Sequence, residues 1–319
     1  MRTAYGNGDR FTRWCGRSIS LALLLVALPG ATASAADTPE VLRSSVVDRV
    51  AGLDGNSARP GEGAGLTDDL KSAAWVVSEA SGLQRIAGSA GPLRTVSVGE
   101  GCYVQAISLP LLLARCHTTP GGEYWLFDTD SGERTEVRGL RFMDRLFAMG
   151  TNWVGGVNCL HHCYEMYLNF KTGQYVFGDE SQSEFPIAVR DLDDPDLRPL
   201  YTFPRKFDDY IRVAPYSLTL SGQDELRRPL ILRRGPRART LSRCLRNCRG
   251  IRLTSRYATW HENGALFAHN LRTKRTYRVA RPAAARDGRV TRTALLEDAV
   301  LSAVRLDSGG YVVLRAALP

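Results

Sequence analysis

Short runs in which apolar and polar positions alternate cover most of the chain, separated by turns rich in Gly, Asp and Asn. The clearest unit is 124–137, YWLFDTDSGERTEV. An aromatic and apolar run there ends in Asp128-Thr129-Asp130-Ser131-Gly132, and a polar/apolar alternation follows. That pattern predicts a β-hairpin closed by a tight polar turn. Further strands are predicted at 74–77, 83–86, 94–98, 102–108, 111–116, 142–149, 153–157, 164–170 and 174–177. Before them, 36–71 is rich in Ala, Gly, Ser, Asp and Pro and reads as a flexible or partly helical lead-in. Val41, Val46, Val47, Val50 and Leu53 recur there at near-helical spacing, which places a short helix at about 40–53.

Aligning the turns exposes a repeat. Asp128 in FDTDSG corresponds to Asn169 in LNFKTG, about 40 residues on, and to Asn270 in HNLRTK. Residues 230–236 are a poorer copy, and 299–314, with Asp307-Ser308-Gly309-Gly310 at the turn, are a last one. The gap between Asn169 and Arg233 exceeds one repeat and places an acidic insertion at about 179–209. Each unit carries an apolar strand ahead of its hairpin, at 111–114, 153–154 and 257–260. Such units predict an all-β domain over 72–319, a β-propeller of roughly five or six blades. A β-sandwich or a pair of meanders is the alternative. In a propeller the N- and C-terminal strands close the ring and remove exposed edges; 74–86 would supply two strands of the closing blade and 299–314 the others. The pattern resembles secreted bacterial β-propellers of the TolB-like kind. The Pro-x-Trp-Ser-Pro-Asp-Gly signature of such repeats and the Asp-box of sialidase-like propellers are both missing, so the resemblance implies an architecture and no activity.

The first 35 residues read as an export signal. Arg2, Arg10, Arg13 and Arg17 make a basic start, 19–28 (ISLALLLVAL) is an apolar core too short to span a bilayer, and Ala33-Ser34-Ala35 is a small-residue cleavage pattern. No Arg pair precedes the core, and Cys15 lies before it, so neither twin-arginine export nor a lipoprotein is expected. About 280 residues remain, room for one large domain or two small ones. No later run reaches membrane-spanning length. The expected location is secreted, extracellular or cell-wall associated, and the expected state is a monomer.

Export changes how the cysteines read. Cys102, Cys116, Cys159, Cys163, Cys244 and Cys248 follow the leader, an even set that predicts disulfides. Cys102 and Cys116 are symmetric about Leu109, so a hairpin turning at Pro110 sets them opposite one another. Cys159-Leu160-His161-His162-Cys163 offers thiolates and imidazoles that suit zinc or copper. Cys244-Leu245-Arg246-Asn247-Cys248 has the same spacing without the histidines. The shared feature is a short disulfide loop, so no metal is assigned; cross-pairing between the loops is the alternative. The acidic run 191–196 lacks the glycine and closing glutamate of an EF-hand and reads as a surface loop rather than a calcium site.

The net charge is +9, from 42 Lys and Arg against 33 Asp and Glu. Nearly all the cations are Arg, and 227–256 concentrates them with no Asp or Glu. Arg233, Arg234, Arg237, Arg239, Arg243 and Arg246 are the candidate anion-binding residues, with a cell-wall polymer or acidic glycan rather than nucleic acid as the partner. The alternative is a solvated face balanced by the acidic insertion. His117, His161, His162, His261 and His269 belong to no nucleophile elbow or metalloprotease helix, and no phosphate loop is present. No cofactor and no catalytic residue are assigned. The reading is a binding or scaffold module recognising an extracellular polymer or protein. A propeller-fold hydrolase or lyase acting on glycans, and an envelope-associated structural protein, are the alternatives.

Overall fold

The computed structural model describes residues 39–50, 66–78, 80–88, 92–117, 122–140, 143, 145–159, 163–181, 188–190, 192–196, 199–202, 209–213, 215–220, 228–244 and 248–319. The expected export signal lies outside them. So do His161, His162 and Arg246, and the side chains of Cys159 and Cys163.

Among the described residues, six of the sheets are arranged as the blades of a β-propeller. Two strands, β1 (Glu40–Arg43) and β2 (Ser45–Val50), precede the first blade. Blade one holds β3 (Thr67–Asp68), β4 (Ser72–Ser78), β5 (Leu83–Gly88) and β6 (Arg94–Ser97). Blade two holds β7 (Cys102–Ser108), β8 (Leu111–Cys116), β9 (Glu123–Asp128) and β10 (Arg134–Glu136). Blade three holds β11 (Arg145–Met149), β12 (Trp153–Cys159), β13 (Cys163–Asn169) and β14 (Tyr175–Ser181). A hairpin of β15 (Ala188–Arg190) and β16 (Pro199–Thr202) occupies the expected insertion. Blade four holds β17 (Asp209–Val213), β18 (Tyr216–Leu220), β19 (Leu230–Arg234) and β20 (Arg237–Ser242). Blade five holds β21 (Arg249–Leu253), β22 (Tyr257–Glu262), β23 (Ala265–Asn270) and β24 (Thr276–Ala280). Blade six holds β25 (Arg289–Leu295), β26 (Ala299–Arg305) and β27 (Tyr311–Ala317). The first strand of each blade is innermost: β3 packs on β7, β7 on β11, β17 on β21, β21 on β25, and β25 back on β3.

Ring closure joins N- and C-terminal strands as expected, and 299–314 supplies β26 and β27 of the closing blade, but the N-terminal partner is not the one the sequence predicts. Residues 74–86 sit in β4 and β5 of a complete blade of their own. The missing fourth strand of blade six is β2, antiparallel to β27 with Val46 opposite Leu314 and Val50 opposite Tyr311. β1 adds in parallel to β24 as a fifth strand of blade five. The helix expected at 40–53 is therefore replaced by two strands over its described part, and the propeller begins at Glu40 rather than residue 72. The valines that mimic helical spacing are β-branched, and their stiff side chains fit a pleated sheet better than a helix.

The core explains why the second strands read as unbroken apolar runs: they are buried on both faces, between the two neighbouring blades. On β4, Ala73 and Trp75 pack with Leu301 and Val313 of blade six, while Ala74 packs with Val104 and Leu112 of blade two. On β12, Val154 packs with Leu113 of blade two. Between blades four and five, Leu218 and Leu232 meet Trp260. Gln84, fully buried, bridges blades one and two with its side-chain amide: Nε2 donates to the Cys102 carbonyl, and Oε1 accepts from Val104 N–H, each at 3.4 Å.

The repeat is real at three turns. Asp128, Asn169 and Asn270 each accept, through one side-chain oxygen, the backbone N–H groups two and three residues on, at 2.8–3.1 Å. All three open the turn between a blade's third and fourth strands. The residue closing the turn has positive φ: Gly132 at 75°, Gly173 at 73° and, in blade five, Lys274 at 61°. The copy at 230–236 occupies the same connection with a shorter turn. The copy at 307–310 does not, because it joins the second strand of blade six to the third.

Candidate functional site

The arginine block is split by strand direction. β19 and β20 pair Arg234 with Arg237 and Leu232 with Arg239, so Arg234, Arg237 and Arg239 share one face of the outer hairpin of blade four. Arg233 pairs with Ala238 on the opposite face. Arg243 lies beyond the far end of β20, roughly 20 Å from Arg237 at about 3.3 Å per residue. The five described candidates thus do not make one patch. Arg233, Arg234, Arg237 and Arg239 are exposed, and none forms an ion pair or side-chain hydrogen bond with a described residue. The Arg234 guanidinium lies 5.6 Å from the Tyr216 ring centroid, a contact that orients it without neutralising it.

The acidic insertion is engaged elsewhere. Asp193 Oδ1 accepts Thr151 N–H at 2.7 Å, the Asp193 carbonyl accepts from Asn152 Nδ2 at 2.7 Å, and the Asp194 carbonyl accepts from Trp153 Nε1 at 3.1 Å. These bonds fasten 192–196 to the β11–β12 turn of blade three. A Cβ on Gly150 would meet the Leu192 carbonyl at 2.5 Å, so that turn needs glycine for the loop to approach.

Cys102 and Cys116 stand opposite one another and are bridged at 2.04 Å, as the turn at Pro110 requires. Cys244 and Cys248 are bridged at 1.99 Å. A Glu262 carboxylate oxygen lies within 4.8 Å of both sulfurs, a proximity that the sequence does not reveal. The disulfide takes up both thiolates, and Glu262 Oε2 accepts from Ser242 Oγ at 2.7 Å and Trp260 Nε1 at 3.3 Å. The cluster is therefore a braced loop. The backbone pairs Cys159 with Cys163 across the end of β12–β13.

The innermost strands bring Asp68, Arg252 and Arg292 together from blades one, five and six. Burial pushes the Asp68 carboxyl above the usual carboxylate range, against the pull of both guanidiniums, and its Oδ2 has no hydrogen-bond partner. His261 is buried against Thr293, with Nε2 to Oγ1 at 2.6 Å. Its pKa is lowered to about 4 by burial first and by Arg249 and Arg281 second. His269 is lowered to about 4 by burial and Arg239. Both rings are neutral at pH 7.

Two cavities stand out. One, of about 460 Å³, is an apolar groove on the outer part of blade three lined by Asn158, Tyr164, Met166, Tyr175 and Phe177. The other, of about 480 Å³, lies at the seam between blades five and six, where β1 and the β1–β2 junction also reach it. Arg278 on β24 and Arg281 and Arg286 on the connection to β25 line it, and no Asp or Glu does among the described residues. These arginines lie outside the sequence block; the β23–β24 hairpin sets β24 beside 265–266, and the pairing of β1 with β24 adds 41 and 44.

Solved propellers share the fold. The β-propeller domain of the trilobed protease from Pyrococcus furiosus, described by its open velcro topology, matches with a TM-score of 0.52 at 10% identity, over 79% of this chain and 93% of that one. Pyrococcus horikoshii acylaminoacyl peptidase matches with a TM-score of 0.50 at 9% identity, over 80% of this chain and 52% of that one. The chain thus spans about half the length of that peptidase. A chain of the mitotic checkpoint complex gives 0.52 at 11% identity, over 94% and 99%. At these identities the likeness is one of fold. No family model matches the chain, and no curated protein matches it in sequence.

Proposed function

We propose that the chain is an exported binding module whose arginine hairpin on blade four docks an acidic polymer of the cell envelope. The observation that carries the reading is the set of four exposed guanidiniums, Arg233, Arg234, Arg237 and Arg239, on one outer hairpin without a carboxylate partner among the described residues. The described acids of the insertion, which could have balanced them, are held against blade three. Guanidiniums bind carboxylate and phosphate groups in bidentate fashion, and a row of them suits a polymer that repeats such groups. Two disulfides and the leader-like start support a place outside the cytoplasm.

The test is a pull-down with polygalacturonate and wall teichoic acid against a neutral glucan, at about 0.15 M salt where the Debye length is about 8 Å. The reading expects retention on the acidic polymers and loss in the triple variant Arg234→Gln, Arg237→Gln, Arg239→Gln. Release of both proteins at this salt would reduce the hairpin to generic surface charge. Cleavage of a polymer during the assay would move the assignment to a glycan hydrolase or lyase.

A further inference from the structure

The pocket at the seam between blades five and six is separate from the arginine hairpin. Its floor and walls include Leu266, Val279, Val290, Val300 and Leu314, all buried or half-buried. Its cations come from β24 and the connection that follows it. Arg281 is fixed by donating Nη1 to the Gly288 carbonyl and, at 3.3 Å, to the Ala285 carbonyl. Arg278 and Arg286 are exposed and hydrogen-bond no described residue through their side chains. A cavity of about 480 Å³ falls in the range of small-molecule sites, which are mostly apolar with a few polar groups that fix orientation. Here the charged groups are cationic, and no acid among the described residues lines the cavity to neutralise them.

We infer that this pocket binds a small amphipathic anion, a carboxylate carried on an apolar body. The body lies on the valine and leucine floor, and the carboxylate meets Arg286, which is free to form bidentate bonds; Arg278, paired with Phe267, projects from the other face of β24 than Val279. Arg281 keeps the local potential positive. A purely ionic ligand would leave the apolar floor unused, and an uncharged one would leave the Arg286 guanidinium unpaired. The site is independent of the polymer-docking hairpin: Arg234 and Arg237 lie at the turn end of blade four, whereas Arg281 and Arg286 lie on a blade-to-blade connection at the opposite end. The walls also include Val41 and Ser44, so an occupant touches the strands that close the ring.

The experiment uses the purified chain with octanoate, octanol and sodium sulfate as probes, read by calorimetry and by hydrogen exchange. Octanoate is expected to bind saturably and to slow exchange across 40–50, octanol and sulfate to bind at least about tenfold more weakly. Arg286→Gln, an exposed site whose melting without probe should match the parent, is expected to weaken octanoate about tenfold or more, and Arg278→Gln, on the other face of β24, to leave it unchanged. Ser302→Phe, which fills the cavity from blade six and leaves every arginine in place, should abolish binding. Equal binding of octanoate and octanol, unchanged affinity in Arg286→Gln, or full binding in Ser302→Phe overturns the inference. So does octanoate binding that is lost instead in the blade-four triple variant, which would place the probe on the hairpin.

Discussion

Asp48 offers a direct test of how the ring is closed. It sits on β2, the strand that completes blade six, yet its carboxylate reaches blade one. Oδ2 accepts from Trp75 Nε1 at 2.8 Å and lies 3.5 Å from Arg85 Nε. Trp75 is fully buried, so Asp48→Ala removes the acceptor of a buried indole N–H. A hydrogen bond to a charged group contributes about 1.5–3 kcal/mol, and stranding a buried donor adds to the loss. The Arg85 side chain is 36% exposed, so its ion pair is screened and adds less than about 1 kcal/mol. Together these put the cost of Asp48→Ala at about 3 kcal/mol. For a chain of this size that is roughly 5–10 °C in Tm. Asp48→Asn keeps an oxygen for the indole and should cost only about 1 kcal/mol. Differential scanning calorimetry at matched scan rates measures both, and hydrogen exchange over 45–50 locates the effect. Equal losses in the two variants would mean that the charge on Arg85, not the Trp75 bond, holds the strand. A Tm unchanged in Asp48→Ala would refute the clasp altogether.

Three further outcomes are expected. Lys274→Gly should raise stability by about 1 kcal/mol, because Lys274 takes the left-handed conformation at φ 61° that glycine takes in the two sister turns; a lower Tm would contradict it. His261 is neutral in the fold with its pKa lowered from 6.5 to about 4, while the unfolded chain protonates it near 6.5. Its contribution is therefore complete above pH 6.5 and is lost as the pH falls toward 4, so His261→Gln should flatten the acid limb of a stability–pH curve, and parallel limbs would count against burial as the cause. Deleting 300–319 removes β26 beyond Ala299 together with β27, the partner of the closing strand β2, and should abolish cooperative unfolding; a truncated chain with the parental melt would show that closure is dispensable.

Local chemistry was legible in the sequence wherever a single turn decides the outcome. Asp128, Asn169 and Asn270 announce their hairpins because the side-chain oxygen that caps the turn is encoded at one position. Cys102 and Cys116 announce their bridge because Pro110 fixes the point of reversal. The closing strands were not legible in the same way. Val41, Val46, Val47 and Val50 satisfy helical spacing nearly as well as alternation, and the partners of β2, among them Leu314 and Tyr311, stand at the other end of the chain. The turn at 307–310 looks like the sister turns but joins a different pair of strands, since a Gly-rich hairpin carries no label for its place in a blade. The seam pocket was invisible for a stronger reason: residues 41, 264, 278, 286 and 314 share a wall only after the ring has closed.

The same geometry changes what the arginine block means. In sequence, Arg233 through Arg246 is one continuous run of cations, and one anion-binding surface follows naturally. In the fold, β20 carries the chain from one end of blade four to the other within six residues. Arg234 and Arg237 are left at the turn end and Arg243 at the connection end, where the Cys244–Cys248 loop begins. Blade five repeats the reversal, leaving Arg272 and Lys274 at one end and Arg281 and Arg286 at the other. A cation run in an up-and-down sheet is thus dealt alternately to two ends, about 20 Å apart at about 3.3 Å per residue. That separation exceeds the Debye length at about 0.15 M salt, so charge at one end contributes little to binding at the other. Substitutions in the hairpin and in the seam pocket should therefore act additively on any measured affinity. A ligand whose binding couples Arg237 to Arg286 would have to be long enough to span a whole blade.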